Sequence, residues 1–133
     1  MENRRKEKIV EIEKYLEELE SFLPETIDNY FRDVVKKAAC ERYFEKIIEA
    51  VIDLVILIIK KRGFRAPESD RDAFEILSEN NIISPALSEK LGNAKSMRNI
   101  IIHRYGRIDD KKIFDSLKNK LFNDVREFLE VVK

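Results

Sequence analysis

Ile9, Ile12, Leu16, Leu19 and Leu23 recur at steps of three and four, with lysine and glutamate filling most positions between them. A single apolar stripe of that period predicts an amphipathic helix over roughly Asn3 to Phe22, stopped by Pro24. From Glu25 to about Arg62 there is neither glycine nor proline, and Phe31, Val34, Val35, Ala38, Tyr43, Phe44, Ile47 and Ile48 keep the helical period. This predicts one long second helix, and beyond Glu49 it is apolar nearly all round, as an element covered on several sides would be. Gly63 ends it, and RGFRAPESD forms a loop. Ser69 or Asp70 then caps a short helix to Glu79, which Asn80 and Asn81 close. Ser84 followed by Pro85 opens a further helix that ends near Gly106. Asp109 and Asp110 start the last one, whose stripe is Ile113, Leu117, Leu121, Val125, Phe128 and Leu129. The expected fold is all-α: an up-and-down bundle of four long helices plus one short helix, forming a single domain over 1–133.

Composition agrees with this pattern and narrows the function. Three glycines, three prolines and no tryptophan in 133 residues favour long helices over strands and tight turns. Lys+Arg 26 balances Asp+Glu 26, so no global basic field marks a bulk nucleic-acid binder, and any such site must be local. The one cysteine, Cys40, excludes an internal disulfide and any multi-cysteine metal site, and reads as a small core residue. MENRRKEKIVEIEKYLEE lacks the apolar core of a secretory signal. The most apolar run, VIDLVILII, falls far short of the ~20 residues that span a bilayer. A cytoplasmic protein with no membrane contact is expected.

Candidate chemistry is concentrated in MRNIIIHRYGRIDD, Met97 to Asp110, which holds the chain's one histidine. On an ideal helix at about 100° per residue, taking Arg98 as 0° puts Ile102 near 40°, Asn99 near 100° and His103 near 140°. Ala94, Met97, Ile100 and Ile101 fall between about 200° and 320°, and Tyr105 lies near 340° at the border. The core-facing side and the Arg-Asn-His side are therefore roughly opposite. A phosphate over the polar side could meet the arginine fork, which suits phosphoryl oxygens, and the imidazole, which titrates near neutrality. Asn99 could orient the ring or bind substrate without changing the charge. Such a set suits metal-free cleavage of RNA, whose 2'-OH is an internal nucleophile; it would leave a 2',3'-cyclic phosphate and a 5'-OH. A two-fold dimer would supply a second histidine as acid, with Ile102 in the middle of the contact. Geometry alone favours surface salt bridging or a simple helix-end histidine over this catalytic reading.

R-N-I-I-I-H, Arg98 to His103, resembles the R-x4-6-H motif of the HEPN superfamily, and its continuation through H-R-Y resembles the R-x4-H-x-Y form of the HepT branch, also described as domain of unknown function 86. The likeness extends to A-C-E-R-Y-F-E-K-I-I-E-A-V-I-D at Ala39 to Asp53, S-D-R-D-A-F-E-I-L at Ser69 to Leu77, N-I-I-S-P-A-L-S-E-K-L at Asn81 to Leu91 and Y-G-R-I-D at Tyr105 to Asp109. It implies a helical homodimer with the two motifs at a shared cleft. It further implies an endoribonuclease toxin of a type VII toxin–antitoxin pair whose antitoxin, MntA, is a minimal nucleotidyltransferase. Carried over residue by residue, Arg98 and His103 would be the catalytic pair, Asn99 their support, and Tyr105 the hydroxyl that receives AMP to silence the enzyme. No cofactor and no metal are implied. The alternative is a non-catalytic helical subunit that binds nucleotide or RNA beside such a nucleotidyltransferase.

Arg42, Glu49 and Asp53 lie in the matching segment as candidate supports of the site, although pairing with arginine to fix helix packing explains Glu49 and Asp53 more simply. Tyr43 and Phe44 read as core aromatics, and Asp109 and Asp110 as helix-capping residues rather than metal ligands. Lys111, Lys112, Lys118 and Lys120 read as a solvated face.

Overall fold

The computed structural model describes residues 2–103 and 107–133, and all regular structure among them is helical. Helix α1 spans Glu2–Phe22 and buries Ile9, Ile12, Leu16 and Leu19, the stripe the sequence predicts. The expected second helix is instead two. Thr26 caps α2 (Ile27–Arg32) by accepting a hydrogen bond from the Asn29 amide at 3.2 Å. Asp33 then leaves helical geometry, with φ −99° and ψ 91°, and its carboxylate accepts from the Lys36 amide at 3.0 Å to start α3 (Val34–Arg62). An aspartate that satisfies the next helix's free amides makes a break without glycine or proline, which is why periodicity alone passes over it.

The second half of α3 is covered on several sides, with Ile47, Ile48, Val51, Leu54 and Val55 each at 0% exposure. Gly63 ends the helix in the left-handed region at φ 69°; its amide reaches Lys60 O, and the Phe64 amide reaches Ile59 O at 3.1 Å. That double closure puts the residue in the left-handed region, which glycine enters without the strain a Cβ brings. Arg65 then fixes the loop by forking onto Asp72 at 2.8 and 2.9 Å and reaching Glu79 at 2.6 Å. Ser69, rather than Asp70, caps α4 (Asp70–Glu79). Ser84 accepts from the Leu87 amide at 3.0 Å and opens α5 (Pro85–His103).

The last helix begins at Arg107, before Asp109 and Asp110, so these two occupy its first turn rather than cap it. It runs as α6 (Arg107–Ser116), a π-helical turn (Leu117–Leu121) and α7 (Phe122–Val132). The π turn has a sequence cause. Ile113, Leu117, Leu121 and Val125 are spaced by four, and each such step overshoots an α-helical turn by about 40°. A wider turn absorbs that drift, and all four side chains are buried.

Helix α3 is central, packed by α1, α4 and α5, with α2 and the π turn against it; α5 also packs on α6 and α7. Alpha-helix pairs run in alternating directions: Glu18 meets Tyr43 while Lys8 meets Asp53 across α1 and α3, and Arg126 meets Glu20 while Lys133 meets Glu13 across α7 and α1. The up-and-down bundle is as expected, with α2 as one additional short helix. No helix of the described residues is long and apolar enough to cross a membrane.

Candidate functional site

The C-terminal half of α5 divides as the sequence predicts. Ala94 and Ile101 are buried, and Met97 and Ile100 pack against the core from its margin. Asn99 and His103 are exposed, and Ile102 is 52% exposed between them although Ile101 beside it is 3% exposed. Ile102 is thus a single exposed apolar side chain within a polar triad, as Val10, Val34, Val35 and Val131 are exposed elsewhere on the surface.

Arg98 departs from the expectation of an outward side chain. Only 20% of it is exposed, because it lies over α3 and the start of α4, with Nη2 at 3.4 Å from Glu49 Oε1 and Nη1 at 4.0 Å from Asp70 Oδ2. Its Nε is buried without a hydrogen-bond partner. Two loose carboxylate contacts position the guanidinium without occupying all of its terminal donors, and those, rather than the buried Nε, remain for a phosphoryl oxygen.

The three candidate supports separate. Glu49 holds Arg98, as the packing reading anticipates. Asp53 does not: it is 63% exposed and pairs with Lys8 at 3.6 Å rather than with an arginine. It lines a concavity of about 1000 Å³ whose lining includes Arg4, Lys60 and Arg62 at the far end of α3; Arg98 and His103 are not part of it. Arg42 is 61% exposed and pairs with Glu45 at 3.1 Å on its own helix. Tyr105 lies outside the described residues. Phe44 is fully buried, and Tyr43 is half-buried with its hydroxyl donating to Glu18 at 3.0 Å, so both are structural aromatics. Among the described residues no group of three or more histidine, cysteine, aspartate or glutamate side chains could hold a metal ion.

Sequence reasoning passes over the contribution of α4. Asp70 touches Arg98, and the next residue, Arg71, donates from Nη2 to Ser96 Oγ at 2.9 Å. The available signal is Gly92. A glycine inside an unbroken helix costs about 1 kcal/mol relative to alanine and marks a close approach. Here a Cβ at Gly92 would stand 2.5 Å from Arg71 Nη1.

On the opposite side of the motif, the start of α6 is held by a buried charge network. Tyr30 Oη donates to Glu41 Oε2 at 2.6 Å, and Lys37 Nζ donates to the same oxygen at 2.9 Å. Lys37 Nζ also lies 3.1 Å from Asp110 Oδ1, in ion-pair contact rather than hydrogen-bond alignment. Tyr30 is fully buried and Glu41 is 2% exposed. Burial first, then the Glu41 carboxylate, push the Tyr30 phenol far above its ordinary range. Asp110 is therefore an anchor of the helix that follows the motif.

Comparison with known proteins bears on the fold and the family. The family model described as ribonuclease HepT-like matches residues 12–132. An mRNA nuclease HepT of Shewanella oneidensis is 30% identical over 67% of this chain and 66% of its own. A tRNA nuclease HepT of Aphanizomenon flos-aquae is 27% identical over 77% of this chain and 70% of its own. Among solved structures, a tri-AMPylated Shewanella oneidensis HEPN toxin in complex with MNT antitoxin superposes with a TM-score of 0.89 at 23% identity, covering 99% of this chain and 98% of that one.

Proposed function

The chain belongs to the HepT-like ribonuclease family, and on that premise we propose that it is the endoribonuclease toxin of a toxin–antitoxin pair, acting on RNA in the cytoplasm without a metal ion. His103 takes the proton from a ribose 2'-OH, the 2'-oxygen attacks phosphorus, and the bond to the 5'-oxygen breaks. A 2',3'-cyclic phosphate and a 5'-OH result. Arg98 stabilises the charge that builds on the phosphorane, a role for which prior positioning matters most. Asn99, one turn before His103, orients the ring or the substrate. The single observation that carries this reading is the pairing of an anchored, incompletely satisfied Arg98 with an exposed Asn99 and His103 on one helix end.

A second copy completes the site. Each chain has one histidine, and the leaving 5'-oxygen needs a proton, so two motifs facing each other across a dimer cleft supply base and acid together. The exposed Ile102 supports that arrangement by giving the face an apolar centre. Control is assigned to Tyr105: a MntA-like nucleotidyltransferase moves AMP from ATP to its phenolic oxygen with release of pyrophosphate, and the added phosphate blocks the cleft. The tri-AMPylated Shewanella oneidensis HEPN toxin, held in complex with MNT antitoxin, supports this by analogy.

The test is RNA cleavage in EDTA by wild type, His103→Ala and Arg98→Ala, with folding and dimer mass checked for each. Both variants are expected to lose cleavage by 100-fold or more, on the order of a removed acid–base group or charge stabiliser. A divalent-metal requirement, or activity that survives both changes, overturns the mechanism; RNA binding without cleavage by wild type favours the non-catalytic subunit. Intact mass after incubation with the nucleotidyltransferase and ATP is expected to rise by whole AMP units, and Tyr105→Phe is expected to abolish the gain.

A further inference from the structure

Arg71 is the described residue whose placement the site above leaves unexplained. Its guanidinium lies against Gly92 on α5, in space that any Cβ would occupy. Ser96 Oγ accepts from Arg71 Nη2 at 2.9 Å and donates its own proton to Gly92 O at 3.2 Å, so the hydroxyl is fixed as an acceptor for the arginine. Among the described residues Arg71 has no ion-pair partner. A permanent cation is thus held in a set position while most of its donors remain unused.

The position matters because of the helix wheel. With Arg98 again at 0°, Gly92 falls near 120° and Ser96 near 160°, on the same stripe of α5 as Asn99 and His103. Seven residues separate Ser96 from His103, an axial distance of about 10.5 Å. One strand of a stacked duplex rises roughly 3.4 Å per nucleotide, and an unstacked strand more. Toward the start of α5, Arg71 lines a shallow depression together with Glu75, Glu79 and Glu89, of which Glu79 is already paired with Arg65.

From this we infer that Arg71 binds a backbone phosphate of the RNA within about three nucleotides of the bond that is cut. The inference rests on the ribonuclease reading for its substrate but on separate residues for its evidence. Asp70 and Arg71, adjacent on α4, then serve one strand in two ways: Asp70 contacts the arginine proposed for the scissile phosphate, and Arg71 takes a neighbouring one.

Arg71→Gln removes the charge, and Gly92→Ala displaces it without changing composition in charge. The Cβ meets only the flexible end of a side chain, and alanine is favoured over glycine in a helix, so Gly92→Ala is expected to stay folded. Two measurements read the contact. The first is the ratio of kcat/KM for a decanucleotide to that for a dinucleotide, expected to fall roughly tenfold in both variants, the scale of one charge-assisted contact. The second is the salt dependence of binding to a 2'-O-methyl oligonucleotide, which cannot be cleaved; its log–log slope is expected to shrink by about 0.7 in Arg71→Gln.

Wild-type cleavage with both readouts unchanged in the variants overturns the inference and leaves the ribonuclease reading intact. A changed slope without wild-type cleavage does the reverse. Weakened assembly with the nucleotidyltransferase at unaltered RNA readouts assigns Arg71 to a protein contact and also overturns the inference.

Discussion

Glu41→Ala is expected to be among the most destabilising single changes in the protein. Glu41 is 2% exposed, and its Oε2 accepts from Tyr30 Oη at 2.6 Å and Lys37 Nζ at 2.9 Å. Alanine leaves a fully buried phenol without its acceptor and a mostly covered ammonium facing Asp110 alone. Removing one member of a buried pair typically costs 3–5 kcal/mol; because Asp110 still compensates Lys37, about 3 kcal/mol is the expected loss. Unfolding entropy of about 2.1 cal/mol/K per residue gives about 0.28 kcal/mol/K for 133 residues. The midpoint should therefore fall by roughly 10 °C in thermal unfolding followed by circular dichroism. Tyr30→Phe alone should cost about 1–2 kcal/mol, and the double variant less than the sum of the two, since the shared hydrogen bond can be lost only once. A Glu41→Ala midpoint within about 3 °C of wild type, or strictly additive effects, refutes the idea that Glu41 holds Tyr30 and Lys37 together in one buried network.

Two further changes probe the site and the core. Glu49→Gln is expected to shift stability by less than about 1 kcal/mol, because the carboxylate is 45% exposed. It should nevertheless lower RNA-cleavage kcat/KM about tenfold or more as Arg98 loses its positioning; a large drop in unfolding midpoint with unaltered activity per folded molecule contradicts that role. Cys40 is fully buried, and burial, with Glu41 adding to it, pushes its thiol from 9.0 up to about 11. Alkylation at pH 8 should be negligible in the folded protein and prompt in denaturant. The raised folded-state value means that stability present below pH 9.0 is lost as pH rises toward about 11. Tyr30 adds to the same alkaline loss, since its phenol is also raised. Urea titrations at stepped pH should show stability declining above pH 9.0; a flat profile to about 11 counts against both burials.

Local pattern sufficed where each residue's role depends on its neighbours along the chain. The apolar stripes of α1 and α5, the Ser84–Pro85 start, the Gly63 stop and, with the exception of Arg98, the two-sided character of Met97 to His103 are all periodicity and capping, and the structure places them as expected. The split at Asp33 was harder to read because the break uses a side chain common in helices and leaves the apolar period almost undisturbed. The four-residue spacing of Ile113 to Val125 did contain the π turn, though only as a drift that becomes costly once a core fixes which side faces inward.

The chain by itself determined an all-helical bundle, the residues of its motif and the outward position of Asn99 and His103, because those follow from a 3.6-residue period and short-range hydrogen bonding. Tertiary structure decided everything that joins residues far apart in sequence. It drew Arg98 under Glu49 and Asp70, sent Asp53 to Lys8, laid Arg71 in the space left by Gly92 and tied Asp110 to Lys37. No periodicity encodes these pairings: long charged side chains on a surface rich in both signs can satisfy several partners, and only the packed helices settle which one is within reach.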